Sequence, residues 1–350
     1  QTALHLGELF SALNHSVTFL HSGLHTWWES YPLPSYATEH LYTHPLSEPL
    51  DLIIDIDASL PAPIRKSFLL PGTHLVAFLR TFLQFSEMDA SVYIETPIQT
   101  RSMEYIHEIW CWDVLNPAET LPSIQTMFPT CPIRAVPFFW TPTLTNYFTK
   151  SQRAFCFSPE PTWSIHIAEK NTNESSAIVP LVAIREATRR LSLASSSPPS
   201  PSPSVKFLVH HLDALTESRF LKENILAPIE FPTLPVSLAP TVPFHDLVKT
   251  ANHLFFSHSR FTPLRPALLS LIWMGVPLFH NSLILRDLHP TLQEGYYKGN
   301  EISEWIACLQ RFLVHPHVWW EGQKERRTAL LRRFGLSVHR EAWASLLDTI

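Results

Sequence analysis

The chain predicts an α/β protein of two doubly wound, parallel-sheet domains with helices at the C-terminal end. Three observations point there. Short, almost wholly apolar runs recur, of the kind buried on both faces of a parallel sheet. Stretches with helical spacing of their apolar residues fall between those runs. And 350 residues are more than one ordinary core accommodates.

The elements follow in order. Leu6, Leu9, Phe10 and Leu13 make one face of a helix that begins almost at residue 1, Asn14 and His15 end it, and residues 17–20 read as a strand. In a doubly wound half-domain such a helix follows a first strand and a glycine-rich turn. Neither is present, so the first domain is expected to lack its first strand, either because the chain is a fragment or because the sheet is one strand short. No charged-then-apolar leader is visible. Residues 52–56, 74–79, 106–112 and 133–139 are the strand-like runs of the first half, with a helix over 117–128 that takes proline in its first turn. A second series of strands is predicted at 163–168, 205–210, 253–257 and 276–279, with helices at 175–191, 216–224 and 244–251. Leu264, Leu268, Leu271 and Ile272 recur at helical spacing before the last of these strands, and Gly275 reads as that helix's cap. Helices at 302–313, 319–334 and 339–347 complete the series. The expected domains are 1–150 and 151–334, with a C-terminal helix in 335–350 and a joint within 141–161.

Composition narrows the class. With 45% hydrophobic and 16% charged residues, the chain reads as a soluble globular protein. No apolar run reaches the ~18 residues of a membrane span. A net charge of −5 with 26 Lys+Arg gives no basic footprint, which argues against a nucleic-acid partner. A cytoplasmic protein is expected, with peripheral association as the only membrane contact left open. Cys111, Cys131, Cys156 and Cys308 are scattered without a C-x-x-C pair, and read as reduced, buried thiols. The 31 prolines against 8 glycines stiffen the loops. Residues 195–204 (SSSPPSPSPS) cannot bury apolar surface and read as a disordered surface insert. Lys324, Arg326, Arg327, Arg332 and Arg333 read as a solvated helix face.

The polar residues of one segment stand just past predicted strand ends: Ser257, His258, Ser259 and Arg260 after one strand, His280, Asn281 and Ser282 after the next. Open α/β sheets bind ligands there, and the start of the helix between the strands offers an anion site.

At these residues the chain resembles glycosyltransferases of the GT-B fold, in the broad retaining family 4-like group, and a glycosyltransferase-like branch of bacteria and large viruses. The resemblance runs over nearly the whole chain. It is carried by Glu108-Ile109-Trp110, Val136-Pro137-Phe138-Phe139-Trp140-Thr141-Pro142, Ile167-Ala168-Glu169-Lys170-Asn171 and Val179-Pro180-Leu181. Stronger are Ser257-His258, Pro263-Leu264, Gly275-Val276-Pro277-Leu278 and His280-Asn281-Ser282. The resemblance implies two Rossmann-like domains facing a cleft, a nucleotide-sugar donor held mainly by the second, and a C-terminal helix that returns to pack on the first. It implies hexosyl or pentosyl transfer to a glycan or other acceptor, retaining and without a metal or other cofactor.

Such chemistry needs positive charge and helix N-termini around a departing diphosphate. Arg260 and Arg265 near the helix start are candidates, as are Lys170, Asn171 and Ser175 at the first strand-to-helix turn of the second domain. His280, Asn281 and Ser282 are candidate hydrogen-bond donors to diphosphate or ribose. Related enzymes usually carry two acidic residues about this helix, the second of which holds the ribose. Those positions fall here at Phe261 or Thr262 and at Ser270, so Ser270 offers one hydroxyl where a carboxylate is usual, and no catalytic residue is assigned.

Asp55-Ile56-Asp57 supplies a rival reading, the metal–diphosphate signature of the other glycosyltransferase fold, since aspartates two apart project to one side of an extended chain. The two-domain alternation favours no metal here, with Asp57 left as an acceptor contact. His25 and Trp27, with His21 and Trp28, form the other acceptor candidate, because aromatic rings stack on sugars. None of the 19 histidines falls in an H-E-x-x-H pattern, and no G-x-S-x-G occurs. His210-His211-Leu212-Asp213 reads as a strand-end turn. Three functions remain on the sequence alone: a glycosyltransferase, a sugar-nucleotide epimerase on the same scaffold, and a non-catalytic relative that binds glycan or nucleotide.

Overall fold

Two all-parallel sheets organise the molecule, one in each of two units. The computed structural model describes residues 2–21, 35–37, 50–80, 103–149 except 116, 162–167, 169, 177–194, 204–210, 219, 223, 236–238, and 252–350 except 261 and 316. Unit 1 comprises residues 1–144 and 333–350, and unit 2 residues 145–332.

Unit 1 opens with helix α1 (Thr2–Ala12), which ends where Asn14 takes a positive φ of 67°. Strands β1 (Phe19–His21) and β2 (Ser35–Ala37) pair parallel, as a separate pair among the described residues. The main sheet takes β3 (Leu52–Ile56), β4 (His74–Leu79), β5 (Glu108–Trp112) and β6 (Ile133–Val136) in sequential order. Both faces of β4 and β5 are buried, as their unbroken apolar runs require. Leu75, with Ile53, packs against Ile64 and Phe68 of helix α2 (Ala62–Phe68). On the same face Ala77, Leu79 and Ile109 meet Ile124 of helix α3 (Pro117–Met127). On the other face Phe78, Trp112, Trp110 and Phe139 build an aromatic cluster around Trp343. Trp343 belongs to α12 (Leu336–Leu347), is wholly buried, and donates from Nε1 to Pro137 O at 3.0 Å.

The segment from 141, expected to be loop, contains helix α4 (Thr143–Thr149), in which the chain passes from unit 1 to unit 2. Seven residues are too few to show a period in the sequence. Unit 2 holds β7 (Thr162–Ile167), helix α5 (Ile178–Ala194), β8 (Ser204–Val209), β9 (Val236–Leu238), β10 (His253–Ser257), helix α6 (Pro266–Met274) and β11 (Leu278–His280). Its five strands among the described residues lie in the order β11-β10-β7-β8-β9. Counted within the unit this is 3-2-1-4-5, the doubly wound order whose direction reverses between its first and fourth strands, β7 and β10.

After β11 come two short helices, α7 (Leu283–Arg286) and α8 (Pro290–Glu294), then α9 (Ile302–Val314), α10 (Val318–Glu321) and α11 (Gln323–Phe334). The expected single helix over 319–334 is thus two, parted at Gly322, where a side chain would crowd His289, Thr291 and Arg326. One face of the sheet meets α9: Phe256 stands edge-on to Trp305, and Trp163 and Phe279 to Phe312.

The basic run on α11 is not uniformly solvated. Lys324, Arg332 and Arg333 are exposed, but Arg326 is wholly buried against Trp319, and Arg327 donates to Trp273 O at 2.6 Å. With Gln323, which donates to Met274 O, Arg327 satisfies the open carbonyls at the end of α6. Cys111, Cys131 and Cys308 are buried free thiols. The helix expected at 175–191 is α5, and Cys156, the insert at 195–204 and the helices expected over 216–224 and 244–251 fall wholly or largely outside the described residues. Among the described residues no helix is long and apolar enough to cross a membrane.

Candidate functional site

The carboxyl ends of β7 and β10, where the winding of unit 2 reverses, carry a buried polar cluster. Glu169 stands two residues past β7, almost fully enclosed. Arg265, at the N-cap position of α6, grips it with both terminal nitrogens: Nη1 donates to Oε2 and Nη2 to Oε1, each at 2.7 Å. Arg265 also donates to Ser257 Oγ, at the end of β10. The backbone N–H of His258 donates to the same carboxylate at 2.8 Å. One anion thereby ties the two strands of the switch point to the helix that follows.

Beside it His258 and Tyr297 form a second layer. Tyr297 Oη donates to Ser257 O at 2.8 Å, and His258 Nδ1 lies 2.9 Å from Tyr297 Oη. Burial, then the charge of Glu169, raises the phenol well above its ordinary range, so Tyr297 keeps its proton. Burial also lowers the proton affinity of His258; Glu169 opposes that, and Arg260 and Arg265 add to it.

The residues nominated from the sequence separate into distinct roles. Arg265 sits in the cluster, engaged by Glu169. Arg260 lies two residues past His258 and is exposed. Asn281 spends its amide on the peptide of Ser259, accepting from its N–H at 3.0 Å and donating to its carbonyl at 2.5 Å. Ser282 caps α7, accepting from Leu285 N–H at 3.4 Å and donating to Pro263 O at 2.5 Å. Together these two clamp the loop that carries His258 and Arg265. His280 is fully buried, donates from Nε2 to Leu292 O at 3.1 Å, and is pushed down to about 4, chiefly by burial. Ser270 is also fully buried, accepting from Thr145 Oγ1 at 2.9 Å.

In unit 1, Asp57 accepts from the backbone and side-chain N–H groups of Arg80. Asp55 is buried instead against Arg65 Nε at 2.9 Å and the N–H groups of Ser59 and Leu60. Asp57 and Ala58 take positive φ values of 58° and 50°, so the extended geometry that would align the two aspartates ends at Ile56. Among the described residues no group of three or more His, Cys, Asp or Glu is placed to hold a metal ion. Lys170, Asn171, Ser175, His25 and Trp27 lie outside the described residues.

Glu169, read from the sequence only as part of the resemblance, and Tyr297 are not among the nominated site residues. An acid two places past an apolar strand was a usable signal for Glu169. Tyr297 lies in a segment with no motif, and only the fold brings it to Ser257.

His210, one residue past β8, belongs to a buried group with histidines of β7 and β10. Its Nε2 lies 3.1 Å from His166 Nδ1, and His166 Nε2 lies 2.6 Å from His253 Nδ1, a buried row of three imidazoles along the sheet.

Two parallel-sheet α/β units with helices at the C-terminal end give the chain the GT-B fold. Solved structures bear this out at the level of fold. A sucrose-phosphate synthase from Thermosynechococcus elongatus aligns with a TM-score of 0.56 at 14% identity, over 99% of this chain and 91% of its own. A UDP-forming α,α-trehalose-phosphate synthase from Burkholderia xenovorans gives 0.56 at 13% identity, over 89% and 76%. A trehalose-6-phosphate synthase studied for glycosyltransfer with retention gives 0.57 at 11% identity, over 89% and 76%. The chain belongs to the family described as protein of unknown function (DUF2827), whose model matches residues 1–196. Comparison with curated proteins finds no match.

Proposed function

We propose that this protein is a glycosyltransferase that moves a sugar from a nucleotide-diphosphate donor to a glycan or other hydroxyl-bearing acceptor, retaining anomeric configuration and using no metal. The observation that carries the reading is the Glu169–Arg265–His258 cluster at the switch point of unit 2, where doubly wound sheets take their ligands. The GT-B neighbours support it: one is UDP-forming, and another was studied for glycosyltransfer with retention. In this reading the bond between the sugar's anomeric carbon and the diphosphate breaks, and positive groups stabilise the leaving oxygen. Arg260 and Arg265 lie toward the diphosphate, joined by Lys170, Asn171 and Ser175. His280, Asn281, Ser282 and Ser270 shape the donor site from behind. His25, Trp27 and Asp57 serve the acceptor. The protein works in the cytoplasm, with peripheral membrane contact where the acceptor requires it.

The test is release of nucleoside diphosphate from UDP-, GDP- and ADP-sugars, with and without mixed glycan acceptors and with EDTA present. Acceptor-dependent release that survives EDTA, with a product of unchanged anomeric configuration by NMR, is expected. Interconversion of free nucleotide sugars would make the protein an epimerase.

A second reading has its own observation. Ser270 is buried and bonded to Thr145, at the helix position where related enzymes carry a carboxylate. That suits a non-catalytic relative, for which the same assay gives nucleotide binding without turnover.

A further inference from the structure

Two charged side chains stand at the carboxyl ends of the middle strands of unit 1's main sheet. Arg80 is the first residue past β4, and Asp113 the first past β5. The two strands are neighbours, with Leu79 paired to Cys111, and open α/β sheets take their ligands at this end. Both residues are exposed. They carry opposite charges, yet they form no ion pair with each other, because each is held by a different partner.

Asp57 holds Arg80. Its carboxylate takes the backbone N–H of Arg80 at 3.1 Å and the Nε–H at 2.7 Å, and takes Nη2 as well. Asp57 owes its place to a strained turn: it and Ala58 have φ of 58° and 50°, which residues with a side chain avoid. The turn is fixed from within by the wholly buried Arg65, which pairs with Asp55 and donates to Ala58 O at 2.9 Å. Asp113 is held by Phe138, whose N–H donates to Oδ1 at 2.9 Å. Among the described residues this leaves Arg80 Nη1 and Asp113 Oδ2 without a hydrogen bond, each on a side chain already fixed by its partner. A solvated surface charge needs no such support. A binding group does, because fixing it in advance lowers the entropy cost of taking a ligand.

A guanidinium can only donate and a carboxylate can only accept, whereas a hydroxyl does both. An anion suits Arg80 but not Asp113, and an ammonium group the reverse. Asp57 already cancels the charge of Arg80, so Asp113 disfavours a phosphate or a uronate. We propose that Arg80 and Asp113 bind an uncharged sugar through its hydroxyls, Nη1 giving a hydrogen bond to one and Oδ2 taking one from another, with Asp57 as the positioning residue of Arg80. The inference rests on the proposed function and deepens it by naming the acceptor's class: an uncharged saccharide, in place of a phosphorylated or acidic sugar or a non-carbohydrate alcohol.

Saturation-transfer NMR tests this without any donor. The probes are the methyl glycosides of glucose, galactose, mannose and N-acetylglucosamine, set against mannose 6-phosphate, glucuronate and glucosamine. At least one methyl glycoside is expected to bind the wild type more tightly than the charged sugars do. Arg80→Gln and Asp113→Asn are each expected to weaken that binding about tenfold, with circular dichroism confirming that each variant folds. With that glycoside as acceptor in the nucleotide-release assay, Asp57→Asn is expected to raise KM severalfold and to retain kcat, the split of a residue that only orients Arg80. Absence of binding by every methyl glycoside, preference for a charged sugar, or affinity unchanged in both variants would overturn this inference and leave the donor site untouched. Binding that responds to the variants, without nucleotide release from any sugar donor, would leave the sugar site standing and overturn the glycosyltransferase reading.

Discussion

A carboxylate enclosed at the end of an apolar strand has to be neutralised within the fold, and Glu169 is neutralised by the Arg265 guanidinium and the His258 N–H. Removing one member of a buried pair costs more than the pair contributes, because the other charge stays behind. Arg265→Met is therefore expected to destabilise unit 2 by about 3 kcal/mol, the low end for such pairs since Arg265 keeps some exposure. The double variant Glu169→Gln/Arg265→Met should recover part of that loss, and urea denaturation of the three proteins measures both. A double variant less stable than Arg265→Met would contradict the pairing. The basic residue was visible in the sequence. Its partner was hidden, because the two lie 96 positions apart and no local pattern connects them. Asn281 and Ser282 show the converse: conspicuous in the sequence as donors, they spend their hydrogen bonds on the backbone of the neighbouring loop.

Helix α6 was the most legible element, since its apolar spacing and its terminal glycine agree. Gly275 has φ 83°, its N–H bonds Ile272 O, and Val276 N–H bonds Leu271 O, the paired bonds of a Schellman ending. Its start is later than the first apolar residue, because Pro266 takes the first helical position and Arg265 stays extended. Strand β11 likewise begins at Leu278, after a proline that lacks an N–H for the ladder. A Cβ at residue 275 would also collide with the Gln323 side chain. Gly275→Ala should cost about 1–2 kcal/mol from the left-handed backbone alone. A urea midpoint equal to the wild type's would show that the ending relaxes without strain. Short helices such as α7 and α8 escaped sequence reading because one turn has no period; their caps, Ser282 and His289, become recognisable only once the turn is known.

At the scale of the whole molecule, the alternation of apolar runs and helical stretches was enough to read two parallel sheets, whereas the strand order within each had to come from the structure. That order buries several histidines as neutral rings. Burial pushes His166 down to about 3, with His253 and His210 adding to it, and burial pushes His253 and His280 down to about 4. Each ordinarily titrates near 6.5, so the unfolded chain takes up these protons first. Their contribution to stability is complete above about pH 6.5 and falls as the pH drops toward 4, by at most about 1.4 kcal/mol per pH unit for each ring. Thermal melts should decline steadily from pH 7 to pH 4.5, and less steeply in His166→Leu. A melting temperature level across that range would refute the idea that these rings are buried uncharged.

The position of Trp343 has a consequence for synthesis. Unit 1 draws on residues from both sides of unit 2, and its aromatic cluster closes around a tryptophan that follows the whole of unit 2 in the chain. A ribosome finishes every residue of unit 2 before it makes that tryptophan. Until then Trp110, Trp112 and Phe139 have no lid, while the 188 residues of unit 2, 145–332, and those that lead on to Trp343 are translated. Unit 1 is thus begun before unit 2 and completed after it, and the nascent chain's need for chaperones falls on unit 1.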